Sequence, residues 1–364
     1  MVFCSHMYLH FNNKTNIMKI NIRLHFTFIL FILLSFFSFS CSKLLMKEDG
    51  ESTPTENFES LWKSADIHYS YFIEKNIDWD KIKNEYAAMI DDNMTDEELF
   101  SVLGSMLNKL QDGHVNLISP FNISRYHFDF SSPENFNYRL LKDHYIGWDY
   151  QWTGNLLHTT ITRDNKTIQY IRYSSFMGII EEADMNYIME KAQNSIGIIL
   201  DLRSNGGGSL TNMYTLASFF ADKKRNALIM LDKKGPAHDD FGRKIDVEIS
   251  PSDTLNYTKP VTILTNRACF SATSFFCAAM KVFPHIVQIG DSTGGGMGAP
   301  GYFELPNGWT YRMSVTRTLS PNSISWESGV PPDIEVDMDP AHEANGIDDI
   351  MEVAITYILK TNAK

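Results

Sequence analysis

Apolar residues recur at intervals of three or four between residues 58 and 110, as on one face of a helix. Thr95 followed by Glu98 is the sequence pattern of a capping box, and it marks the start of the last helix in this region. The pattern therefore predicts a helical subdomain of three or four helices.

From Gly113 onward the pattern changes to short apolar or alternating runs, which are typical of strands. Residues 196–202 are apolar almost throughout, as expected of a strand covered on both faces. The order of strand, turn and helix occurs at 196–220, with the helix at 213–220, and again at 261–282. This alternation predicts a largely parallel α/β core with its functional loops at the carboxyl ends of the strands.

Other strands are predicted at 145–152, 156–161, 167–173, 286–290 and 334–336. Residues 302–305 and 309–315 flank Pro306-Asn307-Gly308, which indicates a hairpin. A last helix is predicted at 347–359.

The composition is that of a folded protein without a nucleic-acid-binding surface. With 364 residues, 43% of them hydrophobic, the chain can bury a full core. Its net charge of -12 provides no basic stripe to neutralise phosphates, which argues against nucleic acid as a partner. Cys269 and Cys277 fall on one predicted helix, where about 12 Å of helical rise is too long for a disulfide.

The first 40 residues differ in kind from the rest. Lys19 and Arg23 precede an apolar run at 26–39. Such a run, about 14 residues long, is shorter than a membrane span and typical of a secretory signal. Met18 is then the expected start of translation.

Cys41 follows small residues at the end of this run and resembles the lipidated cysteine of a bacterial lipoprotein. The resemblance implies a membrane-anchored protein of the cell envelope that faces the periplasm or the exterior. A plain cleaved signal and an uncleaved anchor are the alternatives. Residues 41–57 are polar and rich in helix breakers, which predicts a tether.

Ser271 stands where the buried strand at 261–264 is predicted to turn into a helix. Free backbone N–H groups and the positive end of the helix dipole lie close to a hydroxyl at such a corner, which suits a nucleophile. Amide hydrolysis also needs donors for the developing oxyanion. The candidates are the N–H of Ala272 and that of Gly206 or Gly207, since glycine permits close approach of the backbone.

His114 is the candidate base, because it follows Asp112-Gly113 where the helices end and the strands begin.

By residue type Cys269 competes as a nucleophile, although a buried inert thiol is the commoner role. Glu327 is by itself an ordinary loop acid. The glycine loop at 201–208 lacks the ending of a phosphate-binding P-loop, and no histidine pair has metal-binding spacing, so neither nucleotide nor metal is expected.

Six motifs resemble, in their order, those of the C-terminal processing (tail-specific) serine peptidases, and more closely those of the tricorn-core-like branch. They lie at residues 78–80, 110–114, 201–207, 265–272, 290–295 and 329–333. The resemblance implies a helical subdomain at 58–112 and a ClpP/crotonase-like α/β core at 113–364. It also implies a serine peptidase that needs no cofactor and acts on exported peptides or on the C-terminal regions of unfolded proteins.

The resemblance places the nucleophile at Ser271. The lysine base of the processing branch is expected where this sequence has Gly296, and the nearest lysine, Lys281, falls too early. The tricorn-like branch instead uses a histidine, which matches His114, and a glutamate, for which Glu327 is the best candidate.

A peptide-binding PDZ module needs more than the roughly 53 residues between 115 and 167, so none is expected. A non-catalytic peptide- or ligand-binding protein on the same fold, and an esterase, are the alternative functions.

Overall fold

The computed structural model describes residues 52–128 and 132–363. The predicted signal peptide, Cys41 and most of the predicted tether lie outside this range. The end of the tether prediction was wrong, because a helix begins at Pro54. The Thr53 side chain accepts the N–H of Glu56, and Pro54 occupies the first turn, where its missing N–H costs no hydrogen bond.

The helices of the described residues are Pro54–His68 (α1), Trp79–Ala87 (α2), Asp96–Asn108 (α3), Tyr138–Leu141 (α4), Glu182–Ala192 (α5), Leu210–Ser218 (α6), Ala272–Met280 (α7), Pro340–Ala344 (α8) and Asp349–Thr361 (α9). The strands are Asn116–Ile118 (β1), Ile123–Arg125 (β2), Gln151–Thr153 (β3), Leu156–Arg163 (β4), Lys166–Arg172 (β5), Ile198–Asp201 (β6), Arg225–Lys233 (β7), Phe241–Ile249 (β8), Val261–Thr265 (β9), Ile286–Gly290 (β10), Pro300–Glu304 (β11), Thr310–Ser314 (β12), Thr316–Leu319 (β13) and Ile334–Glu335 (β14).

A seven-stranded sheet forms the centre of the molecule, in the order β14-β10-β9-β6-β5-β4-β3. The five strands from β14 to β5 run parallel, and β4 and β3 extend the sheet antiparallel. Helices α5, α6 and α7 pack on one face, and α9 packs on the other. The predicted parallel α/β core is thus confirmed, and the strand at residues 286–290 was predicted correctly.

The N-terminal helices share a hydrophobic core with a second sheet of order β11-β12-β1-β2. The capping box that starts α3 is confirmed, as is the antiparallel hairpin of β11 and β12. Trp62 on α1 and Trp79 on α2 each donate their indole N–H to the other's backbone carbonyl, at 3.2 and 3.1 Å. Because these helices pack against strands from late in the chain, they place the end of α3 beside the main sheet.

Two parts of the fold differ from the sequence prediction. Only the last two residues of the strand predicted at 145–152 form one, because a π-helical turn occupies Lys142–Ile146 and β3 begins at Gln151. The long hairpin of β7 and β8, which pairs with β13 in a third sheet, was not predicted. Residues 245–249 of β8 nevertheless alternate between apolar and charged side chains, which is a local strand signal.

Candidate active site

Ser271 lies at a sharp corner between β9 and α7. Its backbone has φ +56° and ψ −122°, a combination that costs a residue with a side chain about 1–3 kcal/mol. The conformation is held because the Ser271 N–H donates to Gly295 O at 2.9 Å and the Phe270 N–H donates to Asn205 O at 3.1 Å. The loops that follow three parallel strands, β6, β9 and β10, are thereby bonded together around the hydroxyl.

His114 meets this hydroxyl from the other part of the molecule. Its Nε2 lies 2.9 Å from Ser271 Oγ, although the two residues are 157 positions apart in the chain. Asp112 fixes the loop between α3 and β1, because its carboxylate accepts the His114 N–H at 2.8 Å and the Ser314 hydroxyl at 2.8 Å. The structure therefore brings the predicted nucleophile and the predicted base into hydrogen-bond contact.

The imidazole of His114 is buried, and burial lowers its pKa below the ordinary value of 6.5. The nearby carboxylate of Asp112 acts in the opposite direction, while the charges of Arg312 and Lys75 lower the pKa further. A neutral imidazole can accept the proton of Ser271, as a general base must. Nδ1 of His114 is buried and has no hydrogen-bond partner within residues 52–128 and 132–363.

The candidate oxyanion donors lie on both sides of Ser271. Gly207 packs so closely that a Cβ there would stand 2.8 Å from Ser271 Cβ and 2.9 Å from Ala272 N. The Gly207 N–H, however, donates to Asn205 Oδ1 at 3.0 Å, so this predicted donor is already engaged. The Gly206 and Ala272 N–H groups have no acceptor among the described residues and stay the predicted pair.

Cys269 is not placed to act as a nucleophile. It is fully buried, and its thiol donates to Leu202 O at 3.0 Å. Burial raises the pKa of this thiol to about 12, so almost no thiolate exists at neutral pH. Cys269 and Cys277 are both free, but the prediction that they share one helix was wrong, because α7 begins at Ala272 and Cys269 lies in the turn before it.

Glu327 lies in a buried cluster beneath His114 together with Lys75 and Asp112. Its Oε2 accepts the Met297 N–H at 2.7 Å, and its Oε1 lies 3.3 Å from Lys75 Nζ. The same ammonium is 3.9 Å from Asp112 Oδ2. Within the described chain no hydrogen bond joins Glu327 to His114, so the predicted third catalytic residue is connected to His114 only through Lys75 and Asp112.

Sequence reasoning missed Lys75. It follows α1 in a segment without a motif, and nothing in its local sequence distinguishes it from a surface lysine. In the structure its ammonium donates to Gln111 O at 3.0 Å as well as pairing with Glu327. Lys75 thus links the helical region to the loop that carries His114.

The two buried carboxyl groups of the cluster differ in charge. Burial and the nearby charge of Asp112 raise the pKa of Glu327 to about 8, against the attraction of Lys75. The pKa of Asp112 is lowered although burial opposes this, because the charges of Lys75 and His114 favour its ionised form. At neutral pH these shifts favour an ionised Asp112 and a protonated Glu327.

The raised pKa of Glu327 makes folding stability depend on pH. Between about pH 4.5 and 8 the folded state retains a proton that the unfolded state has lost, so stability falls as the pH rises. We expect Glu327→Gln to remove this dependence and to reduce the loss of unfolding free energy between about pH 5 and pH 8 by on the order of 3 kcal/mol. Urea titrations at the two pH values measure it.

Glu335→Gln is the control, because it neutralises an exposed carboxylate on β14. This variant should show the same difference between the two pH values as the wild type. If the free energy of unfolding changes with pH in the same way in Glu327→Gln and in the wild type, Glu327 is not protonated in the folded state.

A cavity of about 430 Å³ opens beside Ser271 and His114. The helices of the main sheet contribute apolar side chains to it, including Leu210 and Phe275, and the four-stranded sheet contributes Tyr302 and Arg312. Ligand-binding sites are commonly concave clefts of this kind, lined largely by apolar side chains. Among the described residues no three His, Cys, Asp or Glu side chains are arranged to hold a metal ion.

Neither position considered for a lysine base can supply one. Lys281 is engaged by Asp333, with Nζ 2.8 Å from Oδ1. At Gly296 the backbone has φ +73°, and a Cβ would stand 2.4 to 2.9 Å from the ring of Phe270. The geometry is that of a serine hydrolase site, with Ser271 as the predicted nucleophile and His114 as the predicted base.

Comparison with known proteins agrees with this class. Residues 167–336 match the model described as peptidase family S41, and residues 51–108 match the tricorn protease C1 domain. A crystal structure of a candidate peptidase from Parabacteroides merdae is 37% identical, with a TM-score of 0.80, and the match covers 85% of this chain and 98% of that one. The chain belongs to peptidase family S41.

More distant relatives share parts of the chain or its fold. The carboxy-terminal processing protease CtpA of Bacillus subtilis is 26% identical over 39% of this chain and 29% of its own length. The chain spans about a third or less of the curated relatives it matches. Mature CPAF, at 11% identity and a TM-score of 0.64 over 84% of this chain and 96% of that one, shares the fold.

Proposed function

We propose that the protein is a serine peptidase in which Ser271 is the nucleophile and His114 the general base. The observation that carries the proposal is the 2.9 Å contact between His114 Nε2 and Ser271 Oγ at the strained corner before α7. The nucleophile and its base are thus within hydrogen-bond reach without any movement of the backbone.

In this mechanism His114 takes the hydroxyl proton while Ser271 Oγ bonds to the carbonyl carbon of the peptide. The negative charge that develops on the carbonyl oxygen is stabilised by the N–H groups of Ala272 and Gly206, at the N-terminal end of α7. His114 then returns the proton to the leaving amine, and the acyl-enzyme is released by a water that His114 activates. We assign Glu327 and Lys75 a supporting role, holding Asp112 and the loop of His114.

The proposed substrates are exported peptides or the C-terminal regions of unfolded proteins. Residues 115–167 contain β1 to β4 and the start of β5, which belong to two sheets of the fold, and this supports substrate selection by the cleft rather than by a PDZ module. We also propose lipidation at Cys41, which would anchor the enzyme to a membrane of the bacterial envelope, facing the periplasm or exterior. In the described part of the chain no helix has both the length and the apolar character needed to cross a bilayer.

Labelling with a fluorophosphonate probe tests the proposed nucleophile. A serine hydroxyl reacts with such a probe only when a base activates it. We expect the wild-type protein to be labelled at Ser271, and Ser271→Ala not to be labelled, with the modified residue located by mass spectrometry. An unlabelled wild-type protein would favour a non-catalytic binding protein on the same fold.

A further inference from the structure

The polar face of the four-stranded sheet forms one wall of the cleft. Arg312 on β12 pairs in register with Asn116 on β1 and with Tyr302 on β11. Residues that are directly opposite in neighbouring strands lie on the same face of a sheet. Arg312 and Tyr302 both line the cavity beside Ser271 and His114.

Arg312 has no partner for its charge. Its Nε is buried, and no hydrogen bond or ion pair reaches it from the described residues. Oδ1 of Asn116, directly across the strand pair, is also buried without a partner. A buried polar group without a partner costs free energy, and a charged group costs more. A guanidinium without a partner inside a cleft is therefore suited to bind an anionic group of the substrate.

The position of Arg312 indicates which part of a substrate it would meet. It is in register with Asn116 on β1, two residues after His114, so it lies on the side of the site that carries the imidazole. The apolar residues Leu210 and Phe275 come from the opposite wall, which the helices of the main sheet form. A general acid must reach the leaving amine, and therefore the fragment that departs lies on the side of His114.

We propose that Arg312 is a specificity-determining residue that binds a carboxylate on the leaving fragment of the peptide, an inference that rests on the proposed peptidase function. The fork of a guanidinium matches the two oxygens of a carboxylate and bonds them in parallel. Asn116 and Tyr302, on the same face, stand beside this receptor. The carboxylate is either the α-carboxylate of the chain end or the side chain of Asp or Glu.

Matched peptides separate the two sources. A mixed library offered as free acids and as C-terminal amides identifies a cleaved sequence. This sequence is then synthesised in four forms. Two forms differ only in having a free C-terminus or a C-terminal amide. The other two are both C-terminal amides and differ in having Glu or Gln in the leaving fragment. We expect the wild type to prefer a carboxylate form by roughly 10- to 100-fold in kcat/KM. Preference for the free acid identifies the chain end, and preference for Glu over Gln identifies an acidic side chain.

Arg312→Gln should reduce this preference to within about threefold, and Arg312→Lys should retain an intermediate preference because it keeps the charge without the fork. Labelling of Arg312→Gln at Ser271 by the uncharged fluorophosphonate, together with native circular dichroism, shows that the variant is folded and keeps its nucleophile. Arg243→Gln, on the exposed face of β8, is the matched control and should leave the preference unchanged.

Two failures are distinguishable. If Ser271 is labelled and peptides are cleaved, but free acid, amide, Glu and Gln forms react alike, the carboxylate receptor is refuted and the peptidase function stands. The receptor is likewise refuted if Arg312→Gln keeps the wild-type preference. If no peptide is cleaved and Ser271 is not labelled, the proposed function itself fails, and the inference fails with it.

Discussion

Replacing Ser271 by alanine is expected to lower kcat for peptide hydrolysis by about 10⁴- to 10⁶-fold, while the protein remains folded. The reason is that Oγ forms the bond to the substrate carbonyl, and the oxyanion donors alone provide only residual catalysis. His114→Ala removes the group 2.9 Å from this oxygen and should cause a loss of similar size. Steady-state hydrolysis of a cleaved library peptide measures both.

The double variant provides a sharper test of the pair. Residues that act as one catalytic unit are not additive, so Ser271→Ala combined with His114→Ala should be hardly slower than either variant alone. Ser101→Ala, on the exposed face of α3, is the control and should keep full activity. Full activity in either single variant, with native circular dichroism, would refute the assignment.

Arg203→Met is expected to reduce the free energy of unfolding by about 3–5 kcal/mol, a large fraction of the stability of a typical domain. The guanidinium of Arg203 is 2.8 Å from Asp201 and 2.8 Å from Asp348, and all three side chains are fully buried. Arg172 still faces Asp201 at 3.4 Å, so Asp348 becomes the uncompensated buried charge. Urea denaturation followed by circular dichroism measures the loss.

The exposed pair of Arg225 and Asp222 provides the matched control. Their oxygen–nitrogen distance is also 2.8 Å, but both side chains are about a quarter exposed to water. Exposed pairs contribute about 0–1 kcal/mol, so Arg225→Met should hardly move the urea midpoint. Equal shifts for Arg203→Met and Arg225→Met would show that burial does not decide the strength of the Arg203 network.

The elements predicted correctly are those whose signals are local. The capping box at Thr95 needs only three following residues. Strand β10 is apolar except for Gln288, so its strand pattern is easy to recognise. The long β7–β8 hairpin was missed although local strand signals were present, since β7 holds an apolar run at 227–231 and β8 alternates between apolar and charged residues at 245–249. The residues at 145–152 were assigned to a strand from their short alternating run, whereas tertiary packing of Ile146 favours the π-helical turn.

The residues of the active site also divide into those with a local sequence signal and those without one. Ser271 and the glycine loop follow buried strands directly, so their position at the edge of a parallel sheet could be predicted from the order of elements. His114 was selected by its place at the junction of helices and strands. Lys75 and Arg312 carry no local signal, since each is an isolated cation whose surroundings come from distant segments.

The sequence alone determined the strand-to-helix corner that holds Ser271, because apolar runs and glycines act over a few neighbouring residues. Only the tertiary structure decided that His114 reaches the hydroxyl, that Glu327 keeps its proton, and that Arg312 faces the cleft without a partner. These properties depend on burial and on distances between groups far apart in the chain, and both arise only when the helical region and the two sheets pack together.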